Sequence, residues 1–181
     1  MTKNNPKLIV IDTCVYVDAL YRGHAQDIDA DTDRAERSAF LLNLVDQGKY
    51  RAGLAPMVKV ELNASSLLGT HHSSEKIQDR KDRTDAYFEG AGHVYLEHDE
   101  RVANLAAKLA RESLMKGPDA LIVATAVVFE ATYLFSWDDK VLEQQGNPLI
   151  SKLQILKPQE LGVVQQALFG NGFVRSVAQS K

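Results

Sequence analysis

Four acidic residues, Asp12, Glu61, Asp119 and Asp138, stand where a folded chain could bring their carboxylates together. Asp12 closes the apolar run LIVI, Asp138 follows TYLFSW, and Asp119 opens the run ALIVATAVVF behind Gly117-Pro118. Each of these three has an ordinary structural explanation when taken alone. Strand ends carry Asp for turn chemistry, and an acid in the first turn of a helix complements its dipole by about 0.3–1 kcal/mol. Glu61 is different. At about 100° per residue it falls inside the arc of Met57, Val60, Ala64 and Leu68, and glutamates are rarely buried unless paired or coordinating. Together the four suggest carboxylates from four segments converging at one end of a sheet. Unpaired, they would repel one another and take up protons. An oxygen-rich set of this kind suits a hard divalent cation, Mg²⁺ or Mn²⁺.

The elements that must position these acids alternate along the chain. KLIVID (7–12) reads as a buried strand, because four consecutive apolar residues lie between Lys and Asp. A helix is expected from Asp33 to Gln47, with Phe40, Leu41, Leu44 and Val45 on one face and Gly48 ending it. YRAGLA (50–55) reads as a second strand, and Pro56 opens the helix that carries Glu61. Residues 70–73 read as a loop and Ser74 to Glu89 as a heavily charged helix closed by Gly90 and Gly92. HVYLEH (93–98) gives a third strand, Asp99 caps a helix running to Lys116, and Gly117-Pro118 starts the next one, to about Glu130. TYLFSW (132–137) is the fourth strand. A short helix near 139–145, a fifth strand LQIL (153–156) and a last helix from Pro158 to Leu168 complete the order.

Strands that alternate with helices imply a parallel sheet covered on both faces. In such a sheet ligands bind beyond the carboxyl ends of the strands, where Asp12 and Asp138 are expected. One α/β domain over residues 1–168 is expected, with 169–181 as a tail carrying Phe169, Phe173 and Val174. Residues 22–34, with four Asp, read as an exposed loop or insertion.

Composition narrows the function class. The 181 residues include 21 basic and 24 acidic side chains, for a net charge of −3, so nothing attracts nucleic acid in general; local ions or a local patch must do so. Lys76, Arg80, Lys81 and Arg83 are interleaved with Glu75, Asp79, Asp82 and Asp85, which reads as a solvated helix with internal ion pairs. Cys14 is the single cysteine, which excludes an internal disulfide and a multi-cysteine zinc site. It reads as a small buried hydrophobe. Asp18 reads as a helix-face or capping residue. The five histidines show no ligand spacing, and no phosphate-cradling glycine motif is present. A cytoplasmic protein with no membrane span is expected.

Four stretches, VIDTCVYVD, VKVELNAS, GPDALIVATAVVFEA and TYLFSWDDKVL, resemble the PIN-domain nucleases, which include the VapC-type toxins of toxin–antitoxin pairs. They occur in that family's order and cover roughly residues 7 to 157. The resemblance implies a parallel sheet in the order 3-2-1-4-5 and acidic Mg²⁺ or Mn²⁺ ligands at Asp12, Glu61, Asp119 and Asp138. It places a supporting hydroxyl at Ser136. Because Asp138 and Asp139 are adjacent, only one can point at the metal, so Asp138, which matches the motif, is expected as the ligand and Asp139 as an outer acid. It also implies metal-dependent cleavage of RNA to a 5′-phosphate and a 3′-hydroxyl, a homodimer, and an antitoxin-like protein partner. Two features depart from the family. Cys14 stands where Asn or Ser is usual, and the chain is longer than typical toxins. Two other readings compete. A phosphatase using an Asp after strand one would want a second Asp at position 14. A non-catalytic PIN-like module would bind RNA or protein without cutting.

Overall fold

The computed structural model describes residues 5–22, 32–64 and 74–161. Its centre is a strand that cannot touch water on either face. In β1 (Lys7–Ile11) the residues Ile9, Val10 and Ile11 are all buried, so both sides of the strand must be covered. β1 lies between β2 (Tyr50–Leu54) and β4 (Tyr133–Phe135), with Val10 opposite both Gly53 and Leu134. β3 (Val94–Tyr95) pairs on the outer side of β2, and β5 (Gln154–Leu156) on the outer side of β4. The sheet is wholly parallel in the order β3-β2-β1-β4-β5, as expected.

Seven helices accompany it among the described residues: α1 (Thr13–Val17), α2 (Thr32–Asp46), α3 (Pro56–Leu62), α4 (Ser74–Gly90), α5 (Glu100–Ser113), α6 (Gly117–Val128) and α7 (Asp139–Leu142). A π-helical turn, Asp18–Arg22, continues α1. α6 packs on β1 and β4 and is itself covered by α5, which is why its residues Ile122 to Ala126 are apolar all round save for Thr125. Thr125 is buried and donates its hydroxyl to the carbonyl of Leu121 at 2.7 Å. Asp99 caps α5 as expected, its carboxylate accepting the Val102 amide at 3.1 Å. Among the described residues no helix is long and apolar enough to cross a membrane.

Several boundaries fall short of expectation, each for a local reason. β3 keeps two residues of HVYLEH: Val94 and Tyr95 stand opposite Gly53 and Leu54, the Leu96 amide closes the pairing on the Leu54 carbonyl at 3.1 Å, and Tyr95 is largely exposed. α5 stops at Ser113, where Leu114 turns into the left-handed region with φ 55°, leaving residues 114–116 outside any helix. Phe40 lies at the edge of the α2 face, exposed, while Leu42 is buried instead. After β5 a 3₁₀ turn, Pro158–Glu160, is described, and the remainder of the expected last helix and the tail lie outside the described residues. So do residues 23–31, Leu68 and the expected loop at 70–73.

The helix carrying Glu61 is the largest correction. α3 ends at Leu62, so Ala64 does not belong to the face assigned to it, and Leu68 lies outside the described residues. The helix is rolled so that Val58 and Leu62 enter the core and Val60 points outward at 61% exposure. Glu61 is therefore half-buried at the edge of the apolar stripe and not within it. This roll is testable by urea denaturation. Val58→Ala is expected to cost about 1.5–3 kcal/mol, and Val60→Ala to stay within about 0.5 kcal/mol of the wild type. Equal losses at the two positions would contradict the orientation that presents Glu61 to the sheet edge.

Candidate active site

The site begins at the junction of β1 and β4. The Asp12 amide donates to the Phe135 carbonyl at 2.9 Å, extending the ladder by one residue and setting Asp12 beside Ser136. Asp12 then caps α1, its Oδ1 accepting the Thr13 amide at 2.7 Å. Its other oxygen, Oδ2, accepts the Ser136 hydroxyl and the Cys14 thiol, the latter at 3.2 Å. Asp12 is 5% exposed. Burial raises its carboxyl above the ordinary value, and the hydrogen bonds from Ser136, Cys14 and Thr13 work against that rise.

The same serine organises the second acid. Ser136 Oγ accepts the Asp138 amide at 2.9 Å, and Asp138 Oδ1 caps α7 through the Lys140 amide at 2.7 Å. Asp138 lines the cleft. Asp139 is not among the lining residues; it is exposed and sits 3.6 Å from Lys157 Nζ. Glu61 Oε2 accepts the Thr13 hydroxyl, so Thr13 ties Asp12 to Glu61 with its amide and its hydroxyl. Asp119 occupies the first turn of α6 behind Pro118.

These acids share one cleft of about 230 Å³, lined by Asp12, Glu61, Asp119 and Asp138 together with Asp18 and Arg34. Their proximity has an electrostatic signature. The Asp119 carboxyl is pushed up to about 6, first by burial and then by the charges of Asp12, Asp138 and Glu61, with Lys116 opposing. A helix-dipole complement alone would have no such dependence on three other acids.

Thr13, Cys14, Asp18 and Arg34 join the expected acids in the cleft, Thr13 through its bonds to Asp12 and Glu61. Cys14, expected as an inert hydrophobe, belongs instead to the polar network: its sulfur accepts the Trp137 amide at 3.2 Å and donates to Asp12. Burial and the Asp12 charge push its thiol far up, so it acts as a neutral donor. Asp18 does terminate α1 through its backbone, but its side chain is buried and paired with Arg34 at 2.8 Å. The sequence signal was available only for Thr13 and Cys14, which adjoin Asp12. The pairing of Asp18 with Arg34 spans 16 positions and has no local signature.

Histidine plays no part in the cleft among the described residues. His93 Nε2 lies 3.0 Å from the Tyr16 hydroxyl within an aromatic cluster, and His24, His71 and His72 lie outside the described residues. α4 carries internal pairs such as Arg83–Asp79 at 2.8 Å, as its interleaved charges suggested.

Among the described residues no three Asp, Glu, His or Cys side chains are already drawn together at ligand spacing. The hydrogen bonds explain this: Asp12 spends both oxygens on neutral donors, and Glu61 and Asp138 each spend one. The donor set nevertheless fits a hard divalent ion. All its carboxylate partners named above are amides, hydroxyls or a thiol, and the raised Asp119 records charge that those neutral groups leave uncompensated.

No family model and no curated protein sequence matches this chain. Solved structures do. The chain is similar to FitAcB from Neisseria gonorrhoeae, with TM-score 0.56 and 19% identity over 83% of this chain and 98% of that one. It is also similar to VapBC-5 from Mycobacterium tuberculosis, a member of the VapBC family of toxin–antitoxin systems. There the TM-score is 0.51 and the identity 17%, over 84% of this chain and 99% of that one. At these identities the likeness is one of fold.

The raised Asp119 carboxyl has a stability consequence with a definite sign. Between the ordinary value of 3.8 and about 6 the folded protein holds a proton that the unfolded chain releases. The stabilisation is fully present below that window and is lost as pH rises through it. Asp119→Asn, neutral at every pH, should match the wild type in acid and become the more stable protein towards neutrality. Urea titrations in EDTA across this window check it. A variant uniformly less stable, with no dependence on pH, would show that Asp119 feels no repulsion from its neighbours.

Proposed function

We propose that this chain is a Mg²⁺- or Mn²⁺-dependent endoribonuclease of the PIN type, acting through Asp12, Glu61, Asp119 and Asp138. The observation that carries the reading is the convergence of four carboxylates from four separate segments on one cleft, with Asp119 raised first by burial and then by the charges of the other three. The hydroxyls, thiol and amides found here orient the carboxylates without pairing them to a cation.

In this reading Asp12, Glu61, Asp119 and Asp138 would hold the ion, which would supply positive charge to acidify a water and offset charge on the phosphate. The chain's own residues do the positioning. Ser136 fixes Asp12 through its hydroxyl and Asp138 through the backbone, Cys14 donates to Asp12, and Thr13 aims Glu61. The reaction needs no side-chain nucleophile. Water oxygen bonds to phosphorus, the bond to the 3′ oxygen breaks, and that oxygen takes a proton, leaving a 5′-phosphate and a 3′-hydroxyl. A toxin role in the cytoplasm, as a homodimer completed by an antitoxin-like partner, is the biological setting we propose. The shared fold with VapBC-5 supports it. A monomer by light scattering at high concentration, with no protein copurifying from the native host, would remove that setting and leave the nuclease.

A second reading, a non-catalytic module that binds RNA or protein, is favoured by the absence of a ready-made ligand group among the described residues. The two separate on activity. A nuclease loses RNA cleavage in excess EDTA and regains it with Mg²⁺ or Mn²⁺, and Asp119→Asn lowers cleavage by about two orders of magnitude or more. Cleavage that is indifferent to EDTA, or full activity in Asp119→Asn purified in parallel, would rule the proposal out.

A further inference from the structure

We propose that Arg34 is the chain's own phosphate-binding residue at this cleft, engaging a non-bridging oxygen of the RNA backbone and holding the strand against the carboxylates. The inference rests on the ribonuclease reading for the identity of its ligand. A phosphodiester entering the cleft meets Asp12, Asp18, Glu61, Asp119 and Asp138, and Arg34 is the one cation among the described lining residues. An anionic substrate needs a positive partner that the carboxylates cannot supply.

The guanidinium is built into place from two sides. Its Nε and Nη2 both reach Asp18 Oδ2, at 3.0 and 2.8 Å, and Asp18 is buried. Its plane lies over the Trp137 ring, 5.0 Å from the centroid. Trp137 is itself pinned: its indole N–H donates to Ser38 Oγ at 2.8 Å and its amide to Cys14 Sγ at 3.2 Å. Ser38 and Arg34 lie one turn apart on α2, so one helix face carries both the guanidinium and the acceptor that steadies the indole. The Arg34 side chain keeps 33% of its surface exposed, which presents it to the cleft and not to the core. Arginine's planar fork suits phosphate, and fixing it beforehand lowers the entropic cost of using it.

The competing role is structural: Arg34 would do nothing more than neutralise Asp18. A paired substitution separates the two. Asp18→Asn with Arg34→Gln removes one charge of each sign, so the net charge of the cleft is unchanged and no buried carboxylate is left without its cation. The readouts are circular dichroism, melting temperature, and anisotropy of a short fluorescein-labelled mixed-sequence RNA in Mg²⁺ buffer. All proteins carry Asp119→Asn to prevent cleavage. The paired variant should melt near its parent and bind the RNA about tenfold more weakly or worse. Arg34→Lys, which keeps charge but loses the fork, should fall between. A folded paired variant that binds as tightly as its parent overturns the role of Arg34 and leaves the ribonuclease reading intact. If the parent binds RNA but the wild type never cleaves it, the ribonuclease reading falls and a weakened paired variant still supports Arg34. A parent that binds no RNA overturns both.

Discussion

A carboxylate buried at the end of the central strand is costly, and the rest of the site follows from how that cost is met. Asp12 has almost no contact with water, so its charge must be solvated by the protein. A lysine or arginine would do this most strongly but would also discharge the group. The chain instead supplies an amide, a hydroxyl and a thiol, from Thr13, Ser136 and Cys14. These lower the cost of burying the charged form without pairing it to a cation. Ser136 can serve because β4 ends one residue earlier, at Phe135, where its carbonyl takes the Asp12 amide. The register of two neighbouring strands thus decides the electrostatics of the cleft.

The same serine also holds the Asp138 amide, so two acids from opposite ends of the chain are referenced to one side chain. Thr13 does the equivalent for Glu61. Asp119 arrives by a different route: α6 is apolar all round, buried under α5 and against β1 and β4, and its N-terminus carries the acid to the sheet edge. Asp12, Glu61 and Asp138 are each located by a feature of the scaffold and oriented by a neutral neighbour, whereas Asp119 is placed by its helix. Asp119, with the least such help, shows the mutual repulsion most plainly.

Much of this was legible in the residues, and the exceptions have physical causes. The alternation of strands and helices, the helix cap at Asp99 and the break at Gly117-Pro118 are local signals, carried by a few neighbouring side chains. The order of the strands is not local; it came with the family resemblance, and pairing across 40 or more positions leaves no periodic trace. The face of α3 differs from its expected stripe because the apolar spacing runs on past Leu62, where the helix ends, so Ala64 adds an angle that α3 does not realise. Glu61 was reached all the same, because it sits close to either version of the stripe. Residue type alone makes Cys14 a small hydrophobe; its polar role depends in part on the Trp137 amide, 123 positions away, which its sulfur accepts.

The stacking of Arg34 on Trp137 gives the protein an optical property. Trp137 is the only tryptophan in the chain, and its ring touches a guanidinium at the lip of the acidic cleft while its amide contacts the thiol inside it. Indole emission is sensitive to nearby charge and to thiols. The intrinsic fluorescence of the unlabelled protein is thus a single-source reporter placed by the fold at the one position where changes in the cleft's charge are felt most directly.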